Sequence, residues 1–168
     1  MIDPLTDWEA VYWEQAPRLY NYFRYRTGDG ELAQDLTAQT MTRAWRYRTR
    51  YEQNLGAFEA WLFQIARNVL HDFFRQEGKA YCVPLEHAEK IAAPISVERE
   101  VEKRQDAARL YTLLETLPPR EQELIALKYG AGLTNRRIAQ ITDLSESNIG
   151  TILHRVIQKL RLEWEDEL

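Results

Sequence analysis

The chain has 168 residues, 45% of them hydrophobic, and a single cysteine, Cys82, so it can bury one core or two small ones but holds neither a disulfide nor a cysteine zinc site. Its net charge of −4 conceals a segregation: residues 42–79 carry 7 basic and 4 acidic groups, residues 128–162 carry 6 and 2, and the flanking stretches are acidic. Charges more than roughly 10 Å apart are screened at physiological salt, so these two basic blocks, not the total, decide whether phosphate is attracted.

The opening MIDPLTDWEA is acidic and lacks an apolar centre, so a signal peptide is not expected. No apolar run approaches the roughly 18 residues of a membrane span. A cytoplasmic chain without membrane insertion is therefore expected. Glycine and proline are few and fall at breaks such as Gly28-Asp29-Gly30, Gly56, Pro118-Pro119, Gly130 and Gly132. No stretch alternates with period 2, and the pattern predicts helices at 5–26, 31–49, 57–77, 96–116, 120–129, 134–141 and 146–164. The fold class is all-α.

Within residues 43–77 the aromatics Trp45, Tyr47, Tyr51, Phe58, Trp61, Phe63, Phe73 and Phe74 interleave with arginines. Aromatic faces stack on unpaired bases at roughly 1–3 kcal/mol per base while arginines hold the backbone, which suits a single strand better than a duplex. Leu62, Ile65, Ala66, Val69 and Phe73 keep helical spacing and are read as core. The outward arginines Arg46, Arg48, Arg50, Arg67 and Arg75 fit a solvated face as well as a strand.

Gly78 to Ile95 has mixed polarity and no clear period, and it is read as a linker. The boundaries are a first domain at 1–79, a linker at 80–104 and a second domain at 105–168. Two small helical domains joined by a linker follow.

Residues 133–161 read as a helix-turn-helix. Thr134 and Ser145 stand where helix N-caps belong, and Thr142-Asp143-Leu144 leaves room only for a tight turn. Ile138, Ala139 and Ile141 would face inward from the first helix; Ile149, Ile152, Leu153, Val156 and Leu160 would do so from the second. Ser147, Asn148, Thr151, His154, Arg155, Gln158, Lys159 and Arg161 remain outward, the donors and cations that suit base edges and phosphates. The acidic tail from Glu163 is a solubilising end or a shield over this basic segment. His71, His87 and His154 are far apart with no cysteine beside them, so no metal is expected, nor any cofactor. No nucleophile–base pairing or phosphate-cradling glycine loop appears, so the chain is not read as an enzyme.

AQDLTAQTMTRAW (33–45) followed by AFEAWLFQIARNVLHDFFRQ (57–76) resembles region 2 of bacterial sigma factors. LETLPPREQELIALKYGAGLTNRRIAQITDLSESNIGTILHRVIQKLR (114–161) resembles their region 4, and the pair with little else resembles the small extracytoplasmic-function group. The resemblance implies a subunit that binds core RNA polymerase and directs initiation at chosen promoters. Region 2 would dock on the polymerase clamp helices through Asp35, Leu36, Gln39, Thr40 and Arg43. Its loop Tyr51–Gly56, with Asn54, would capture the −10 strand, and Arg67, Asn68 and Arg75 would meet the upstream edge of that element. Region 4 would sit on the polymerase flap and read the −35 duplex through Ser147, Asn148, Thr151, His154 and Arg155, with Arg136 and Arg137 on the backbone. An anti-sigma factor enters as a partner by analogy alone.

Four positions depart from the family pattern. Ala38 replaces a usual glutamine and Gln39 a usual acid, which weakens the expected polymerase docking or shifts it onto Asp35. Asp143 stands where a glycine often makes the turn. Arg137 replaces the glutamate that completes a capping box after Thr134, adding charge that faces phosphate. Two readings from other classes stay open: a stand-alone helix-turn-helix repressor or activator, and a helical adaptor that binds protein only.

Overall fold

The computed structural model describes residues 3–77 and 97–166, all helix and short connections. Residues 80–96 of the expected linker, with Lys79, Cys82 and His87, lie outside the described residues.

Helix α1 spans Trp8–Thr27, α2 Gly30–Tyr47 and α3 Phe58–Glu77. The Asp7 carboxylate accepts from the Ala10 N–H and caps α1, which stops at Gly28 with φ of 66°. That left-handed conformation favours glycine, and its N–H closes onto the Arg24 carbonyl at 2.9 Å. Asp29 then accepts from the Glu31 and Leu32 N–H groups at 3.0 and 3.2 Å and starts α2. A stop at Gly28 and a cap at the next residue, Asp29, fold α2 back onto α1. Leu19, Tyr22 and Phe23, Leu36 and Met41, and Leu62, Phe63 and Ala66 form the core between the three helices.

The second unit consists of α4 (Val97–Glu115), α5 (Pro119–Ile125), α6 (Asn135–Ile141) and α7 (Glu146–Asp166). Pro119 opens α5 at a position whose N–H would be unpaired anyway. The helix expected over 120–129 changes character at Ala126, where a wider π-type turn runs to Gly130 and Ala131 N–H reaches the Ala126 carbonyl at 2.9 Å. The extra residue in this turn carries Gly130 against α1.

The two units are packed together, an arrangement that chain pattern alone does not reveal. One continuous cluster of buried side chains runs from Val11 in α1 to Leu160 in α7. The π turn and α5 lie on α1, and α6 lies on α3. Arg18 Nε donates to the Ala131 carbonyl at 2.8 Å, and Arg26 donates to Gln122 Oε1 at 2.9 Å. At the far end Arg109 of α4 donates to the Trp164 carbonyl and stacks 4.0 Å over its ring. As far as Asp166 the acidic segment continues α7, with Trp164 held against α4.

Candidate nucleic-acid and polymerase interfaces

The helix-turn-helix forms as its caps require. Thr134 Oγ1 accepts from Arg137 N–H and Ser145 Oγ accepts from Asn148 N–H, each at 3.1 Å. Ile138, Ile141, Ile149, Ile152, Leu153, Val156 and Leu160 are all buried, and Ala139 is half-buried in the crossing. Ser147, Asn148, Thr151, His154 and Arg155 are exposed together along α7, with Gln158, Lys159 and Arg161 further on. Thr151 donates back to the Ser147 carbonyl at 3.2 Å, and Arg155 pairs with Glu121 of α5 at 3.1 Å. Such a face can present hydrogen-bonding groups and cations to a duplex groove. Arg136 is exposed, whereas Arg137 is half-buried: its Nη1 donates to Gln140 at 2.7 Å and its Nε pairs with Glu59 of α3 at 3.3 Å.

On α2 the expected docking residues divide. Asp35 and Gln39 are exposed. Leu36 and Thr40 are fully buried, and the Thr40 hydroxyl donates to the Leu36 carbonyl at 2.7 Å, so these two shape the helix from inside and present nothing to a partner. Arg43 is half-buried and ties α2 to α3 through Asp72 at 3.4 Å. Ala38 is exposed at the floor of a groove of about 500 Å³ walled by Tyr12, Trp13, Tyr20 and Gln34. Trp13 is 70% exposed. Sequence reasoning passed over this wall, although Tyr12 and Trp13 fall off the inward stripe of Val11, Leu19, Tyr22 and Phe23.

The loop between α2 and α3 holds two single 3-10 turns, Arg48–Arg50 and Gln53–Leu55. Tyr51 is its brace. Its ring packs edge-on against Phe58 at 5.4 Å and tilted on Trp61 at 5.6 Å, and its hydroxyl donates to the Gly56 carbonyl at 3.1 Å. Burial raises the pKa of its phenol, with nearby Arg137 opposing. Asn54 is exposed beside Leu55, which at 83% exposure is the most open large apolar side chain described. Few of the aromatics offer a free face: Phe63 is core, Phe58, Trp61, Phe73 and Phe74 pack against it, and Arg48 and Arg50 cover Trp45 and Tyr47 at 3.5 and 4.7 Å. A pocket of about 220 Å³ lies under the loop between Tyr51, Leu55, Ala60, Trp61 and Gln64, and Gln140 of α6 completes its wall.

Along α3, Asn68 and Arg75 are exposed, Arg75 pairing with Asp72 at 3.0 Å. Arg67 instead faces the second unit. Its Nε donates to Glu123 at 3.0 Å and its Nη1 to the Ile141 carbonyl at 2.6 Å. The same Glu123 carboxylate accepts from the Tyr22 hydroxyl at 2.9 Å and lies 3.0 Å from Arg26 Nε, an ion pair without hydrogen-bond alignment. Burial first, then the Glu123 charge, holds the Tyr22 phenol well above its ordinary value, against the pull of Arg26. Arg26 and Glu123 drew no notice in sequence, where each passes for surface charge. Among the described residues no group of histidine, cysteine and carboxylate side chains could hold a metal, and no helix is long and apolar enough to cross a membrane.

Two family models match the chain: Sigma-70 region 2 over residues 12–80 and Sigma-70, region 4, over residues 107–160. Among curated proteins it is similar to the extracytoplasmic-function RNA polymerase sigma factor BldN of Streptomyces coelicolor, 29% identical over 89% of this chain and 57% of that protein. It is also similar to SigL of Mycobacterium tuberculosis, 27% identical over 94% of this chain and 88% of the relative, and to SigM of Bacillus subtilis, 26% identical over 91% and 92%. In fold it matches the sigma factor RpoE of Bartonella quintana in complex with the anti-sigma factor NepR, with TM-score 0.69 at 19% identity over 95% of this chain and 97% of that one. It matches CnrH in complex with the cytosolic domain of CnrY with TM-score 0.63 at 20% identity over 98% and 87%. The fold and the matched segments define a two-region transcription-initiation protein. The chain belongs to the extracytoplasmic-function group of RNA polymerase sigma factors.

Proposed function

We infer that this protein binds core RNA polymerase in the cytoplasm and directs initiation at a restricted set of promoters, region 2 opening the −10 element and region 4 reading the −35 duplex. The observation that carries it is the pairing, on one chain of this family, of an exposed duplex-reading helix with a braced loop and an arginine-bearing helix. Duplex reading falls to Ser147, Asn148, Thr151, His154 and Arg155, with Arg136 and Arg137 on the backbone. Strand capture falls to Asn54, with Arg67, Asn68 and Arg75 on phosphates and Tyr51 holding the loop in shape. Flipping a base out costs a few kcal/mol, which the preformed pocket under the loop would offset. Polymerase docking rests on Asp35 and Gln39, with Trp13 and Tyr12 beside them as an aromatic anchor of the kind that dominates interfaces.

The protein supplies recognition and the polymerase supplies the chemistry, so no catalytic residue is assigned. An anti-sigma protein would act by covering the same region 2 surface. Purified protein mixed with core polymerase should yield run-off transcripts from fragments of its own genome. Absence of transcripts together with failure to co-elute with core polymerase would defeat the reading.

A further inference from the structure

We propose that Arg48 on Trp45 and Arg50 on Tyr47 form a second strand-holding site, on which unpaired bases downstream of the captured one stack without being read. The inference rests on the sigma-factor reading above and deepens it, adding residues that this reading leaves unused.

Residues 42–51 contain four arginines and no acidic residue, in a chain whose net charge is −4. Arg18, Arg26, Arg43, Arg67 and Arg75 of region 2 each pair with a carboxylate. Arg46, Arg48 and Arg50 pair with none among the described residues. Two of these three guanidiniums rest on rings instead. Arg48 Cζ lies 3.5 Å from the ring centre of Trp45, and Arg50 Cζ lies 4.7 Å from that of Tyr47. Arg48 Nη1 also donates to the Trp45 carbonyl at 2.7 Å, which fixes the side chain in place. Trp45, Arg46 and Arg50 are exposed. Cations held in position without a carboxylate need an anion from outside the chain.

A guanidinium is planar, so a ring on one face leaves the other face for a base, with N–H groups at its edge for phosphate. An ammonium offers only the charge. Stacking needs no contact with a base edge, so such a surface does not choose among sequences. Its place follows from a run of ring contacts. Trp45 meets Trp8 at 5.3 Å, Trp8 meets Phe58 at 6.5 Å, Phe58 meets Tyr51 at 5.4 Å, and Tyr51 meets Trp61 at 5.6 Å. Tyr51 and the capture loop stand within this run, with the stacked arginines at one end and the α3 face of Arg67 beyond the other. A strand that meets Arg67 upstream of the captured base therefore reaches Arg48 and Arg50 downstream of it. Held there, it stays apart from its complement, which lengthens the life of the open complex without altering promoter choice.

The test uses the full chain with a short fluorescein-labelled oligothymidine, read by anisotropy across a salt series. A second oligothymidine carries one fluorescent purine analogue whose quenching reports stacking. Arg48→Gln with Arg50→Gln should bind about tenfold more weakly, which the loss of one stacked base suffices to cause. The salt slope should fall by about 1.4, two phosphates at about 0.7 each for a single strand. Arg48→Lys with Arg50→Lys keeps the charge, so the slope should persist while the quenching disappears. Both pairs should melt with the native chain, because neither arginine belongs to the core. On a fragment that yields run-off transcripts, the glutamine pair should shorten the open-complex lifetime about tenfold and leave the set of transcribed fragments unchanged. The site is overturned if the native chain leaves the analogue unquenched, if the glutamine pair binds as the native chain does, or if the lysine pair quenches fully. An unchanged open-complex lifetime overturns it as well. Transcripts from the native chain with unaltered oligothymidine binding in the variants sink this site alone. Altered binding without transcripts or co-elution with core polymerase sinks the sigma reading alone.

Discussion

Gly130 and Asn21 touch through their backbones: a Cβ on Gly130 would lie 3.0 Å from the Asn21 carbonyl oxygen, and 3.2 Å from Cγ of Tyr25. The closeness depends on the π turn, whose extra residue brings position 130 onto α1. Gly130→Ala should be tolerated at a cost of about 1 kcal/mol, and Gly130→Val should cost about 1–3 kcal/mol, the usual range for overpacking a tight contact. Urea melts followed by circular dichroism provide the check. A valine variant as stable as the native chain would mean that this contact is slack in solution.

Leu36 and Asp35 are neighbours on the proposed docking helix, α2, yet one is core and the other surface. Leu36→Ala should destabilise region 2 by about 2–5 kcal/mol, as truncation of a fully buried leucine does. Asp35→Ala should leave the melt within about 0.5 kcal/mol of native, as surface changes do, while weakening retention on core polymerase. If pull-down with core polymerase is unaffected by Asp35→Ala and by Gln39→Ala, docking does not use this face.

Those two positions also mark where sequence reading stopped short. The helices were legible because glycine, proline and capping residues punctuate them and because Ile149, Ile152, Leu153, Val156 and Leu160 keep helical spacing. The docking motif resembles its family as a string, and a string does not say which residues face inward. The stripe Ala33, Leu36, Thr37, Thr40, Met41 and Ala44 carries that information and puts Leu36 and Thr40 inside. Tyr51 shows a second limit: an aromatic beside arginines reads alike whether it stacks on a base or braces a loop, and its bond to Gly56 is visible only in the fold. The packing of region 4 on region 2 had no local signal at all. Glu123, Arg26 and Arg67 are far apart in the chain, and each resembles ordinary surface charge until the fold brings them together.

Tyr22 makes that junction sensitive to alkali. Its folded-state pKa lies well above the ordinary 10.0, chiefly through burial. Its contribution to stability is therefore complete below the unfolded value of about 10 and is lost as pH rises through the folded one, because the unfolded chain releases the proton first. Urea midpoints should fall between about pH 8 and about pH 11, and less steeply in Tyr22→Phe. The slope should diminish without vanishing, since burial also raises Tyr25, Tyr51 and Tyr111. An unchanged slope in Tyr22→Phe would place the alkaline sensitivity on those other phenols.

The proposed reading face of α7 should separate function from stability. The Arg155 side chain is 66% exposed and its partner Glu121 18%, so their pair is screened and contributes at most about 1 kcal/mol. Ser145 caps α7 by accepting the backbone N–H of Asn148, so removing the Asn148 side chain leaves the cap in place. Arg155→Ala and Asn148→Ala should therefore melt close to the native chain. In run-off transcription from a cognate promoter, a residue that reads a base should cost about 1–3 kcal/mol of discrimination and relax specificity at one −35 position. A residue that meets a phosphate should weaken all promoters alike and lower the salt slope of binding by about 1. Asn148 lacks charge and can present donor and acceptor together to an adenine edge, so it should follow the first pattern, whereas Arg155 can follow either. If neither variant alters promoter choice or salt dependence, α7 is not the reading helix.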